Sequence, residues 1–99
     1  MTFARAALLM SAGALCWALH FAAIYGFTGV ACARGHAQAV PWAILACTLV
    51  AVLGAASVMR LALRQRESFE HWLAAAIAGA AIVAIAWEAL PALLVPACA

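Results

Sequence analysis

His20 and Glu88 are where chemistry could begin in this chain. His20 sits near the middle of an uncharged run covering residues 6–33, and Glu88 is the one carboxylate inside an apolar stretch. An imidazole and a carboxyl can share a proton or form an ion pair. Inside hydrocarbon an ionisable group costs about 2.5–3.5 kcal/mol even on lenient insertion scales, so it faces protein and finds a partner. Four cysteines, Cys16, Cys32, Cys47 and Cys98, add thiol and soft-metal chemistry.

The elements that must position these groups follow from composition. The chain has 99 residues, 72% hydrophobic and 8% charged. A soluble domain is about a quarter charged. So few charges exclude a soluble globular domain, a disordered chain and a nucleic-acid binder. An integral protein of the phospholipid membrane remains.

The charges divide the chain. Residues 6–33, 35–59 and 71–87 carry none. About 20 apolar residues cross a bilayer as a helix. Three helical spans are expected, at about residues 6–31, 40–63 and 72–95. Barrel strands would alternate polar and apolar residues, which these segments do not. The short connectors, 34–39 and 64–71, make neighbouring helices antiparallel. The expected fold is all-α: a single three-helix transmembrane domain over residues 1–99.

Arginine sets the expected orientation. Arg5, Arg60, Arg64 and Arg66 fall at the N-terminus and second connector, and Arg34 at the first connector. The positive-inside rule then puts the N-terminus inside and the C-terminus outside. Trp42 and Trp72 fall near expected interfaces, while Trp87 lies deeper. Ala31-Cys32-Ala33 has the look of a leader cleavage site, but a 25-residue apolar run exceeds the about 7–15 of a secretory leader. The first span is therefore expected to remain.

Depth can be read from a rise of 1.5 Å per residue. Measured from Cys32 and Cys98, His20 lies about 18 Å in and Glu88 about 15 Å in. The two can meet as a buried polar pair. Alternatively each bonds a backbone carbonyl or hydroxyl of its own, with Glu88 as the neutral acid. Ala76, Ala80, Ala84 and Glu88 recur every four residues, which suggests a small-residue packing face for the third helix. Pro91 cannot donate to the carbonyl of Trp87, which suits a water or cation site or a plain kink.

A metal site is not expected. Cys16 and His20 are four apart, and Cys47 reaches a similar depth, so with Glu88 they could line one cavity with ligands suited to Cu(I). No C-x-x-C or H-x-x-x-H spacing supports it. Small buried cysteines are ordinary packing residues. No cofactor is expected either: a bis-histidine haem would need His36 and His71, which fall in opposite connectors. The basic segment with Arg60, Arg64 and Arg66 contacts headgroups, or docks a partner.

Cys32 and Cys98 both fall at outer helix ends, in the compartment where disulfides persist. They are a candidate bridge if those ends adjoin, and two free thiols if they do not. Cys16 and Cys47 lie deeper, where thiols react slowly.

Two strings carry a resemblance. One is Trp17-Ala18-Leu19-His20-Phe21 with Tyr25-Gly26 and Ala31-Cys32-Ala33; the other is Trp87-Glu88-Ala89-Leu90-Pro91 with Val95-Pro96-Ala97-Cys98. Together they resemble small, uncharacterised bacterial inner-membrane proteins of the type encoded beside haem–copper oxidase and oxidase-assembly genes. The resemblance covers about half the chain. It implies an accessory or assembly role in a respiratory complex.

The expected function is therefore non-enzymatic: an accessory or assembly subunit in the bacterial inner membrane, packed against other membrane-protein subunits. The alternative is a homo-oligomeric small transporter or channel built around Glu88 and His20. A holin is disfavoured, since the chain has no lysine for the usual basic tail. Hydrolase, kinase and dinucleotide motifs are absent, so no catalytic residue is assigned.

Overall fold

The computed structural model describes residues 3–64, 68–96 and 98. Among them are three α-helices: α1 Phe3–Ala33, α2 Val40–Leu63 and α3 Phe69–Leu94, with a 3₁₀ turn at Ala37–Ala39. Each is long and apolar enough to cross a membrane, as a multi-pass membrane protein requires. The helices pack side by side into a bundle of 51 × 22 × 15 Å, each touching both others. Arg5, Arg60 and His71 lie toward one end, and Cys32 and Cys98 toward the other.

Local chemistry sets the helix ends. Gly35 ends α1 with a φ of 75°. Its N–H donates to Cys32 and that of His36 to Ala31, so the last carbonyls of α1 find donors. A left-handed residue is needed at this point, and glycine adopts it without a Cβ clash. Pro41 occupies the first turn of α2, where a missing N–H costs nothing. Ser68 caps α3 by accepting from the His71 N–H, and its hydroxyl also pairs with His71 Nδ1. This cap starts α3 at Phe69, three residues before the expected start at 72. His71, expected in the connector, is thereby a buried residue of the first turn. Val95 is extended because Pro96 follows it, and α3 stops at Leu94.

The packing face of α3 is not the one that four-residue spacing suggested. Ala76 and Ala80 are exposed and Ala84 is half-buried. Each four-residue step turns about 400°, a drift of about 40°, so Ala76 lies about 120° away from Glu88 around the helix. The buried face repeats every seven residues: His71, Ala78 and Ile85 in one row, and Ala74, Ala81 and Glu88 in the other. A seven-residue repeat is the seam of left-handed helix packing. The seam of α1 runs Ala6, Gly13 and His20, and that of α2 runs Thr48, Ala55 and Ala62.

Small residues on these seams let backbones approach, and close packing drives helix association in lipid. Among the glycines, the tightest approach is Gly13 on Ala78: a Cβ built on Gly13 would lie 2.7 Å from the Ala78 Cα. Two apolar clusters flank it. Ala62, Ala74 and Ala75 pack with Leu9, Met10 and Met59 toward the Arg5 end. Ile24, Ala31, Val40, Ile44 and Ala89 pack toward the other.

Cys32 and Cys98 form a disulfide with Cα atoms 5.5 Å apart. It ties the end of α1 to the segment after α3. For a loop of this length, 66 residues, the chain-entropy model gives about 4 kcal/mol, an upper figure because a membrane already restricts the unfolded chain.

Gly13→Ala should destabilise the bundle by about 1–3 kcal/mol, since backbone must shift to admit the methyl. Gly26→Ala, which meets nothing within 4 Å, should not. Unfolding in mixed micelles compares them, and equal stabilities would refute the close approach. Thiol labelling of unreduced, denatured protein should mark Cys16 and Cys47 alone. Labelling at all four cysteines would exclude the bridge.

Candidate functional site

The seams of the three helices bring one polar residue each to the same level. His20 comes from α1, Thr48 from α2 and Glu88 from α3. His20 Nδ1 lies 3.3 Å from Glu88 Oε2, and His20 Nε2 lies 2.9 Å from Thr48 Oγ1. The Thr48 hydroxyl donates to the Ile44 carbonyl of its own helix at 2.7 Å. The His20 side chain is wholly enclosed, while the Glu88 side chain keeps 17% of its surface open. The expected pair is present, and Thr48 makes it a three-helix network.

The hydrogen-bond inventory narrows the proton positions to two arrangements. Thr48 spends its single proton on Ile44, so its oxygen must accept from His20 Nε2–H. The Nδ1···Oε2 contact then holds one proton. Either neutral Glu88 donates to a bare Nδ1, or an imidazolium donates to a carboxylate. Both forms satisfy every partner, and among the described residues no buried side-chain nitrogen or oxygen is left without one. That completeness suits a structural tie, because an unpaired polar group in a low-dielectric core is costly.

Two grooves flank the network. One, of about 320 Å³, is lined by Ile24, Tyr25, Thr28, Glu88 and Pro91 and runs to Val95 and Pro96. Pro91 and Glu88 thus line the same groove. The other, of about 450 Å³, lies between α1 and α2 and includes Cys16, His20, Cys47 and Gly54. Glu88 does not line it. Cys16 and Cys47 are half-buried free thiols. Among the described residues no three of His, Cys, Asp and Glu are grouped to hold a metal ion. The four-ligand cavity weighed for Cu(I) therefore does not form, because Glu88 faces the other groove.

The remaining candidates are dispersed. His36 is exposed beside the 3₁₀ turn, far in sequence and structure from the His71 cap. Arg60 and Arg64 are exposed at the end of α2, and Arg66 lies outside the described residues. Trp42, Trp72 and Trp87 are all exposed. Trp17, Phe21 and Tyr25 form an exposed ridge on α1, with successive ring centroids 6.1 and 4.5 Å apart. Sequence reasoning passed over Thr48. Its seven-residue spacing from Ala55 and Ala62 was the available clue.

No family model, curated protein or solved structure matches the chain.

Glu88→Leu should cost about 1–3 kcal/mol, because it strands His20 Nδ1 in the core. Glu88→Gln should cost less, since its amide can donate to the same nitrogen. Combined with His20→Ala, Glu88→Leu should fall short of additivity by about 0.6–1.7 kcal/mol, the range of average to strongest couplings between membrane helices. Strict additivity in an unfolding cycle would show that the two side chains do not interact.

Proposed function

We propose that this chain is a non-enzymatic accessory or assembly subunit of a larger, respiratory oxidase-like complex in the bacterial inner membrane. The observation that carries the reading is how little of each span its own bundle covers. Burial reaches 17% of the α1 window, 11% of the α2 window and 33% of the α3 window. The exposed alanines Ala76 and Ala80 and the Trp17–Phe21–Tyr25 ridge offer further helices both a close approach and aromatic contact. The internally satisfied polar network supports a scaffold role over a substrate site. The link to an oxidase rests on the resemblance of the two strings around His20 and Glu88.

The N-terminus lies inside and the C-terminus outside. Arg5, Arg60 and Arg64 crowd one end, and the disulfide occupies the other, the end suited to an oxidising compartment. Phospholipid covers whatever helix surface the partner leaves open.

Two measurements test this. A reporter active only outside the cytoplasm, fused after Ala99, should be active; activity of a cytoplasmic reporter there would reverse the orientation. A tagged copy purified in mild detergent should co-elute with larger membrane subunits and their haem absorbance. Elution as a homo-oligomer free of other subunits would displace this reading in favour of a transporter or channel.

A further inference from the structure

The end of α2 carries two charges that the bundle itself does not use. Arg60 and Arg64 are both exposed and stand four residues apart. That spacing puts them on one helix face, about 6 Å apart along the axis. They stand at the end of the α2 span, where a bilayer places its phosphates. Among the described residues neither guanidinium meets a carboxylate. Arginines at a helix C-terminus also complement the partial negative charge of the last carbonyls. That role needs charge alone and asks nothing of the surface beside it.

The surface beside these arginines is shaped. A groove of about 380 Å³ is lined by Ala56, Met59, Arg60, Leu63 and Arg64. Beyond the two arginines its lining is apolar. It reaches inward to Ala56, which lies about 12 Å deeper along α2 than Arg64. Met59 is held from behind. It packs on the cluster of Ala62, Ala74 and Ala75, and its Cε lies 3.6 Å from where a Cβ on Gly79 of α3 would stand. Ala56, with a single methyl group, takes little of the space at the deep end.

We propose that this groove binds one anionic phospholipid, its phosphate held between Arg60 and Arg64 and an acyl chain lying along Leu63, Met59 and Ala56. The proposal stands apart from the accessory-subunit reading, since it holds with or without a protein partner. Charge complementarity selects the headgroup. A guanidinium fork pairs with phosphate oxygens through parallel bonds, which fixes orientation as well as charge. A zwitterionic lipid brings a cationic group along with its phosphate, and no carboxylate lines the groove to receive it. The apolar part selects the chain. A phosphate without a chain would use the arginines and leave Ala56, Met59 and Leu63 uncovered.

The test is native mass spectrometry of the full chain in mild detergent, titrated with dioleoyl phosphatidylglycerol, dioleoyl phosphatidylcholine or glycerophosphoglycerol, the same headgroup without chains. A single phosphatidylglycerol should bind, several-fold more tightly than phosphatidylcholine. Arg60→Gln with Arg64→Gln should weaken it about tenfold or more, since each arginine beside an anionic lipid contributes a factor of about five. Ala56→Phe, which fills the deep end, should weaken it several-fold with both charges intact. Arg34→Gln, which removes an exposed charge at the other end, should leave it unchanged. Equal binding of the two lipids overturns the proposal, as does a loss on Arg34→Gln that equals the loss on the double substitution. If Ala56→Phe binds like the unaltered chain, or glycerophosphoglycerol competes as well as the lipid, the arginines are a plain anion patch and the proposal fails. Should the double variant not fold, the lipid comparison and Ala56→Phe decide.

Discussion

An imidazole enclosed by three apolar helices has nowhere to put its two nitrogens except on protein. Water would otherwise compete for them, and in this bundle it cannot reach His20. Each nitrogen therefore selects a helix: Nε2 takes Thr48 of α2, and Nδ1 takes Glu88 of α3. A one-residue shift of any helix would turn its partner group about 100° away and leave both ends unpaired. The network thus fixes the register of α1 against both neighbours at once. Its individual bonds are modest in strength. The cost of leaving them unmade is what gives the arrangement its specificity.

Packing and the covalent bridge act on the same register. The seven-residue seams deliver Gly13 to Ala78 and His20 to Glu88, from one row of α1 and the two rows of the buried face of α3. Small residues bring the backbones close enough for a 3.3 Å polar contact to close. The Cys32–Cys98 bridge then holds the end of α1 beside the segment following α3, where Val95 and Pro96 border the groove at Glu88. The outer surfaces are left largely uncovered. That leaves a bundle specified inside and available outside, as the proposed subunit role needs.

Much of this was legible from residue types alone. Charge-free runs gave three helices, and the equal depths of His20 and Glu88 placed their meeting within reach. The positions of Cys32 and Cys98 at helix ends on the same side of the bundle did the same for the bridge. The packing face was misread because alanine is so frequent. With small residues on every side of α3, a four-residue stripe looked as good as a seven-residue one, although only the latter stays on one face. Thr48 was missed because a hydroxyl in a helix usually bonds its own backbone. It does so here, and that bond is what leaves its oxygen free to accept from the ring. The start of α3 was set by the Ser68 cap rather than by hydropathy, which is why His71 moved from connector to helix.

The central claim is that His20 is bonded through both ring nitrogens to two different helices. Solid-state nitrogen NMR of histidine-labelled protein in bilayers reads it directly, with His36→Gln and His71→Gln assigning the resonances. The account predicts a protonated Nε2 for His20 that exchanges slowly with solvent. Its resonance should move on Thr48→Val, and the Nδ1 resonance on Glu88→Gln. A His20 ring whose Nε2 lacks a proton, or whose two nitrogens ignore both substitutions, would contradict it.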